Sequence, residues 1–246
     1  MATGAKRFYK TVTVAEGEAG WWGILLDGKA VHTPARTVLC LPTAALAEAL
    51  AEEWRAQGDE IVPATMPLLR LANTRQVLVA PNAAKTAEET AEYARTDLLC
   101  YRAAHPADLT ARQARDWQPL LDWAAVTFDA ALSVTSTIKY VDQPSGAMAA
   151  LRRAVEGLDA AMLTAVRAAG QVTGSLILAL ALERRRIDAE TAFEVSQLDE
   201  SYQIGLWGED HEAARRREHL RAEIADIARF MACLRDEMPA AAARPA

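Results

Sequence analysis

The hydrophobic pattern of this chain changes its period after Pro42, and that change limits the folds it can adopt. Before Pro42, short stretches rich in aromatic and β-branched residues alternate with turn signals, as in β-strands. These stretches are RFYKTVTV at 7–14, WWGILL at 21–26, AVHTPA at 30–35 and TVLCLPT at 37–43. Asp27 and Gly28 carry the signal of a tight hairpin. We therefore predict a small antiparallel sheet of about four or five strands.

After Pro42 the apolar residues recur at helical spacing. Leu46, Leu50 and Trp54 lie four residues apart, which predicts one buried row on a helix that ends near Gly58. From about residue 82 the pattern is almost wholly helical. Several of the predicted helices cover residues 145–156, 159–185, 189–207 and 211–236.

These periods predict an α+β fold, with a small N-terminal antiparallel β-rich domain followed by a larger all-helical domain. We place the first domain, which includes one or two helices, at residues 1–82 and the helical domain at 83–238. Residues 239–246 are expected to be a disordered tail.

Charge and cysteine content exclude several classes of protein. The chain has 27 basic and 33 acidic residues, so its formal net charge of -6 does not favour nucleic-acid binding. Its three cysteines have no C-x-x-C spacing, which indicates a reducing compartment rather than a disulfide framework. The N-terminus lacks the pattern of a signal peptide, and the longest uncharged stretch, 168–182, is too short and polar to span a bilayer. We expect a cytoplasmic monomer that does not insert into membranes.

No familiar catalytic signature is present in the sequence. It lacks a phosphate-binding loop, a dinucleotide-binding glycine pattern and a nucleophile elbow. We therefore expect no catalytic residue, no cofactor and no metal ion. The enzymatic alternative is a small metal-dependent enzyme that uses carboxylates among Asp97, Glu200 and Glu209, because clustered carboxylates bind hard cations.

The stretch LDESYQIGLWGED at 198–210 is the least ordinary part of the chain. On a helical wheel, one side is an ordinary core face. It is formed by Val195, Leu198, Tyr202 and Leu206. The residues on the opposite side are Phe193, Glu200, Gln203, Ile204 and Trp207. Such a helix is either buried on two sides or offers an apolar surface to a partner, and the pattern leaves both possibilities open.

The end of this stretch has signals for a junction between two helices. Gly208 suits the C-terminal cap of the first helix, and Asp210 suits the N-cap of the next. Glu209 lies between them. These residues have structural explanations that Glu200, Gln203 and Trp207 lack.

Longer segments resemble a known family. They are RFYK at 7–10, LDGKAVHTPAR at 26–36, EEWRAQ at 52–57, MPLLRLANT at 66–74, ETAEYARTDLLCYRA at 89–103, RQARDWQPLLDWA at 112–124 and LDESYQIGLWGED at 198–210. In this order they resemble the assembly chaperones of the ATP synthase F(1) sector that handle the α subunit. The resemblance extends from Arg7 to about Asp236. It implies a β-rich domain followed by a helical one.

The resemblance also implies a function, and its matching motifs assign importance to Trp54 and Glu200. Members of the family are non-enzymatic chaperones that bind the free α subunit and prevent its aggregation before it pairs with β. The high Arg content indicates a bacterial, cytoplasmic member, whereas eukaryotic relatives act in the mitochondrial matrix. Glu200 is the acidic position that we expect to matter for function, and Trp54, Asp97 and Gly208 are expected to be structural. The expected partner-binding residues are Phe193, Glu200, Gln203, Ile204, Trp207, Glu209 and Asp210.

Two other functions remain open beside this one. The first is the metal-dependent enzyme described above. The second is a general helical adaptor, with no particular attachment to ATP synthase.

Overall fold

The computed structural model describes residues 5–137 and 139–235. These residues form two compact units. The first contains the residues up to Asn82, together with Ala160–Ala165 and the residues from Arg229 onward. The second contains Ala83–Asp159 and Val166–Ala228. Two segments of the helical part of the sequence thus group with the N-terminal unit, and the predicted tail at 239–246 lies outside the described residues.

The N-terminal part contains five short strands in two antiparallel sheets. The strands are β1 (Ala5–Lys6), β2 (Val12–Glu16), β3 (Trp22–Leu26), β4 (Lys29–Ala30) and β5 (Glu60–Ile61). The larger sheet has the order β2-β3-β4, and β1 pairs with β5 in the smaller one. The Asp27-Gly28 turn joins β3 to β4, as the hairpin signal predicts. The α+β prediction is confirmed, but the single predicted sheet is divided in two.

The segments AVHTPA and TVLCLPT do not form the strands that their composition predicts. Apart from Ala30 at the end of β4, they make only isolated bridges, between His32 and Val38 and between Trp22 and Leu41. The reason is a tight turn, in which the Thr33 N–H donates to the Thr37 carbonyl and the Arg36 N–H donates to the Thr33 carbonyl. This turn leaves too few residues for a longer ladder.

The described residues contain ten α-helices. They are α1 (Ala44–Arg55), α2 (Pro67–Thr74), α3 (Ala83–Ala91), α4 (Ala107–Phe128), α5 (Ser145–Glu156), α6 (Ala160–Thr173), α7 (Leu176–Glu183), α8 (Ala189–Ser196), α9 (Leu198–Trp207) and α10 (His211–Leu234). No helix in the described ranges is both long enough and apolar enough to cross a bilayer.

Two helices predicted as continuous are each broken. The predicted helix 159–185 is interrupted where Gly174 adopts a φ of 70° and the Ser175 side chain caps α7. The predicted helix 189–207 is interrupted at Gln197, whose φ of -106° and ψ of 19° are not helical. Hydrophobic periodicity continues through both breaks because the segments on either side bury apolar residues.

Helix α1 forms the core of the first unit with the larger sheet. Thr43 caps it by accepting the Leu46 N–H, and the row of Leu46, Leu50 and Trp54 is buried, as predicted. The helix packs against β2 and β3. It ends at Arg55, so Gly58 does not cap it.

The segment EEWRAQ uses its polar groups inside the first unit. The two carboxylate oxygens of Glu53 accept the N–H groups of Leu68 and Leu69, at 2.8 and 2.9 Å, and thereby cap α2. The carbonyl of Trp54 accepts the Tyr9 hydroxyl at 2.7 Å, and the two rings make an edge-to-face contact. This segment of the family resemblance has an architectural explanation.

Candidate partner-binding surface

Helix α9 is held in place by its inner side, which faces α4 and α8. Leu198 and Tyr202 are buried on this side, and the Tyr202 hydroxyl donates to the Asp108 carboxylate at 2.9 Å. The Asp199 carboxylate accepts the side-chain amide of Gln113 at 2.7 Å, and Gln113 is itself fully buried. These contacts give Leu198, Asp199 and Tyr202 a structural role within the second unit.

The predicted core face is wrong at Leu206. This side chain is 56% exposed, whereas Leu198 and Tyr202 are buried. The physical reason is that Leu206 lies in the last turn of α9, which ends one residue later. None of the described elements packs over this turn.

Three residues on the outer side of α9 have exposed side chains. Glu200, Gln203 and Trp207 are spaced by three and four residues, so they form one line along the helix, which we call the α9 stripe. The Trp207 side chain is 77% exposed. Within the described ranges, neither Glu200 nor Gln203 makes a side-chain hydrogen bond or ion pair. The outer side of the helix is therefore solvent-exposed, which removes the possibility of a helix buried on two sides.

Phe193 does not lie on this stripe, contrary to the helical wheel. It belongs to α8, and the break at Gln197 changes the direction that the wheel assumed to be constant. Its ring is only 2% exposed and lies beneath the guanidinium groups of Arg217 and Arg221, at 5.3 and 4.5 Å from the ring centroid. Ile204 is half-buried at the edge between stripe and interior.

The turn after α9 has the predicted junction geometry. Gly208 has a φ of 82°, which favours glycine, and its N–H donates to the Ile204 carbonyl. The Asp210 carboxylate accepts the N–H groups of Ala213 and Glu212, both at 2.8 Å. These hydrogen bonds lower the pKa of Asp210, the bond from Ala213 most strongly, and they identify Asp210 as the N-cap of α10.

Glu209 is partnered as well. Its carboxylate pairs with Arg217 at 3.2 Å, and the Arg217 guanidinium also donates to Ser201 Oγ at 3.0 Å. Glu209 and Asp210 therefore stabilise the junction, whereas Glu200 does not.

A cleft of about 340 Å³ opens beside the α9 stripe. It is lined by Phe193, Ser201, Ile204, Glu209, Ala214, Arg217, Glu218 and Arg221. Successive helical residues turn by about 100°, so Ile204 lies roughly 40° around the helix from Glu200. The stripe and the cleft wall are thus neighbouring sectors of one helix. Local sequence patterns did not predict the cleft, because residues of three helices form it.

Asp97 lies in the interior of the second unit rather than at a site. It is fully buried, and its carboxylate accepts Ser175 Oγ at 2.8 Å and the N–H groups of Leu99 and Ile177, both at 3.1 Å. Burial raises its pKa to about 6, although these hydrogen bonds act in the opposite direction. It thereby joins the start of α7 to the turn before Leu99.

The three carboxylates considered for a metal-dependent enzyme lie in three different environments. Asp97 is buried at α7, Glu200 is exposed on α9 and Glu209 is paired with Arg217. Among residues 5–137 and 139–235, no group of three or more His, Cys, Asp or Glu side chains is arranged to hold a metal ion.

Comparison with known proteins identifies relatives along almost the whole chain. The family model described as ATP12 chaperone protein matches residues 6–125. Atp12 from Paracoccus denitrificans is 42% identical, and the match covers 94% of this chain and 98% of that one with a TM-score of 0.88. An Asp-to-Lys point mutant of the Paracoccus protein matches at 41% identity with the same coverage and TM-score. A candidate chaperone from Agrobacterium tumefaciens is 39% identical over 92% of this chain and 84% of its own, with a TM-score of 0.87.

Proposed function

We propose, because this chain belongs to the ATP12 chaperone family, that it is a dedicated assembly chaperone for the F(1) sector of ATP synthase. In this role it binds the free α subunit as a cytoplasmic monomer and prevents aggregation of that subunit before it pairs with β. It acts by binding alone and catalyses no reaction.

The observation that carries this proposal is the α9 stripe. Trp207 is 77% exposed on the same line of α9 as Glu200, whose side chain has no partner among the described residues, although tryptophan is costly to leave in water. Tryptophan is also among the residues most enriched at the energetic centres of protein interfaces. An exposed tryptophan edged by a carboxylate and an amide therefore supports a surface that a protein partner covers.

Chaperoning at such a surface requires only differential affinity. A free subunit of a hexamer exposes the apolar area that its neighbours later cover, and this area promotes aggregation. A protein that binds the free subunit, and not its assembled form, lowers the concentration of the aggregating species by mass action. No nucleotide or metal ion is needed for that effect.

Light scattering of the destabilised α subunit, with and without an equimolar amount of this protein, tests the proposal. We expect the protein to suppress scattering by α and to leave an unrelated aggregating protein unprotected. Equal protection of both would indicate a general adaptor, and no protection by the folded protein would overturn the proposal.

Two variants test the α9 stripe, each with a matched control. Glu200→Lys and Trp207→Ala are expected to weaken α binding by about tenfold or more, which is the usual size for central interface residues. Glu18→Lys repeats the charge reversal at an exposed position of the first unit, and Val126→Ala truncates a side chain that is 88% exposed on α4. Both controls are expected to bind α as the unchanged protein does. If all four variants bind equally, the stripe is not the site.

A further inference from the structure

The cleft beside the α9 stripe contains one carboxylate, that of Glu218, which has no counter-charge among the described residues. Two arginines line it, but each guanidinium already has a carboxylate partner, since Arg217 pairs with Glu209 at 3.2 Å and Arg221 pairs with Glu190 at 3.1 Å. Glu218 also lines the cleft. Among the residues that the structure describes, the Glu218 side chain makes no hydrogen bond or ion pair.

The remaining lining is apolar apart from Ser201, whose hydroxyl accepts a hydrogen bond from Arg217. Ile204 and Ala214 are half-buried at the cleft, and the Phe193 ring lies under the two guanidinium planes. Arginine planes that are fixed by an aromatic ring and by ion pairs offer flat surfaces on which apolar or aromatic groups stack. The cleft volume of about 340 Å³ is large enough for one large side chain.

We propose that this cleft receives an aromatic or aliphatic side chain of the α subunit that is flanked in its sequence by lysine or arginine. The proposal rests on the proposed function and adds the chemistry of the bound segment. The apolar side chain enters between Ile204 and Ala214, while the basic neighbour meets Glu218 inside the cleft or Glu200 on the adjoining stripe. Trp207 covers the segment from outside.

Charge complementarity favours a basic over an acidic segment. A carboxylate or phosphate on the partner would have to displace Glu209 or Glu190 from an existing ion pair, and it would be repelled by the nearby Glu218 carboxylate. A lysine or arginine avoids both costs, because it supplies a counter-charge to Glu218, which has none among the described residues.

Short overlapping peptides that cover the α subunit are the probe, with their binding to the full-length chaperone measured by fluorescence anisotropy. We expect the peptides that bind to contain a large apolar residue next to lysine or arginine. Ala214→Phe, which fills the cleft, and Glu218→Lys, which reverses its charge, are expected to weaken this binding by about tenfold or more. Ala222→Phe adds the same ring at an exposed position of α10 that does not line the cleft, and we expect it to bind normally.

A charge exchange sharpens the test. A peptide whose basic residue is replaced by glutamate should lose binding to the unchanged protein and regain it with Glu218→Lys. Thermal melting of each variant checks that it is folded, and a misfolded Ala214→Phe is replaced by Ala214→Leu. Absence of peptide binding, binding of peptides without the expected composition, or unchanged binding to both cleft variants would overturn the proposal.

The same variants separate this inference from the proposed function. If the unchanged protein and both cleft variants protect the α subunit from aggregation equally, the cleft proposal is wrong and the chaperone function stands. If the unchanged protein does not protect the α subunit, both proposals are wrong.

Discussion

The buried turn before Leu99 and the exposed side of α9 each carry an acidic residue from a segment of the family resemblance, but the two carboxylates lie in opposite environments. The Asp97 carboxylate is fully buried and accepts hydrogen bonds from two backbone N–H groups and one hydroxyl. The Glu200 carboxylate is exposed and has no partner among the described residues. A carboxylate whose hydrogen bonds are satisfied inside the protein contributes to folding, whereas one that is exposed and unpaired is available to another molecule.

The largest expected difference in stability is between variants of two tryptophans, one buried and one exposed. Trp117 is fully buried and its indole N–H donates to the Val195 carbonyl at 3.0 Å, so Trp117→Ala is expected to lower the free energy of unfolding by about 3–5 kcal/mol. Trp207→Ala removes a side chain that is 77% exposed and should leave that free energy nearly unchanged. Urea denaturation of both variants measures the difference. Similar losses at the two positions would contradict the contrast between interior and surface.

Asp97→Ala is expected to have the next largest effect on stability. The variant leaves Ser175 Oγ and the N–H groups of Leu99 and Ile177 without their acceptor, which costs about 2–3 kcal/mol. The loss is smaller than at Trp117 because the variant also removes the cost of burying a charge. Glu200→Ala is the matched control. If Asp97→Ala unfolds at the same urea concentration as the unchanged protein, the carboxylate does not hold α7.

The pH dependence of stability tests the burial of Asp97 directly. Because burial raises its pKa to about 6 from 3.8, the folded protein binds a proton more tightly than the unfolded chain does. The resulting stability is fully present below the unfolded pKa and is lost as the pH rises through about 6. From about pH 5 to about pH 8 the loss should be about 1–2 kcal/mol.

Asp97→Asn provides the baseline for that measurement, since it cannot titrate at this position. The difference in unfolding free energy between the unchanged protein and Asp97→Asn should fall across the pH window. A difference that is constant with pH would mean that Asp97 titrates alike in the folded and unfolded states.

The smallest expected effect on stability belongs to Glu200→Lys. The Glu200 side chain loses no partner among residues 5–137 and 139–235, so the melting temperature should stay within about 2 °C of that of the unchanged protein. Scanning calorimetry measures it alongside the loss of α binding. A large decrease in melting temperature would show that Glu200 has a structural role and would weaken its assignment to the partner surface.

Local patterns predicted the features that depend on neighbouring residues in the chain. The helix of Leu46, Leu50 and Trp54, the hairpin at Asp27-Gly28 and the N-cap at Asp210 all follow from residue types at short spacing. The family resemblance also rested on sequence segments alone. None of these features required knowledge of which distant residues meet.

Patterns failed where the conformation of a single residue changed the direction of the chain. The break at Gln197 placed Phe193 in another helix, beneath Arg217 and Arg221, although the apolar periodicity continues across it. The turn at 33–37 likewise replaced two predicted strands by isolated bridges. Hydrophobic period reports which residues are buried, and it does not report where a helix stops.

The sequence by itself determined the α+β class, the family and the set of acidic and aromatic residues on which the function is proposed to depend. The tertiary structure decided which of those residues are available to a partner. Asp199 is engaged by Gln113 and Glu209 by Arg217, whereas the packing of α9 against α4 and α8 leaves Glu200 and Trp207 uncovered. The physical reason is that hydrogen-bond partners and solvent exposure depend on contacts between distant segments, which local spacing does not specify.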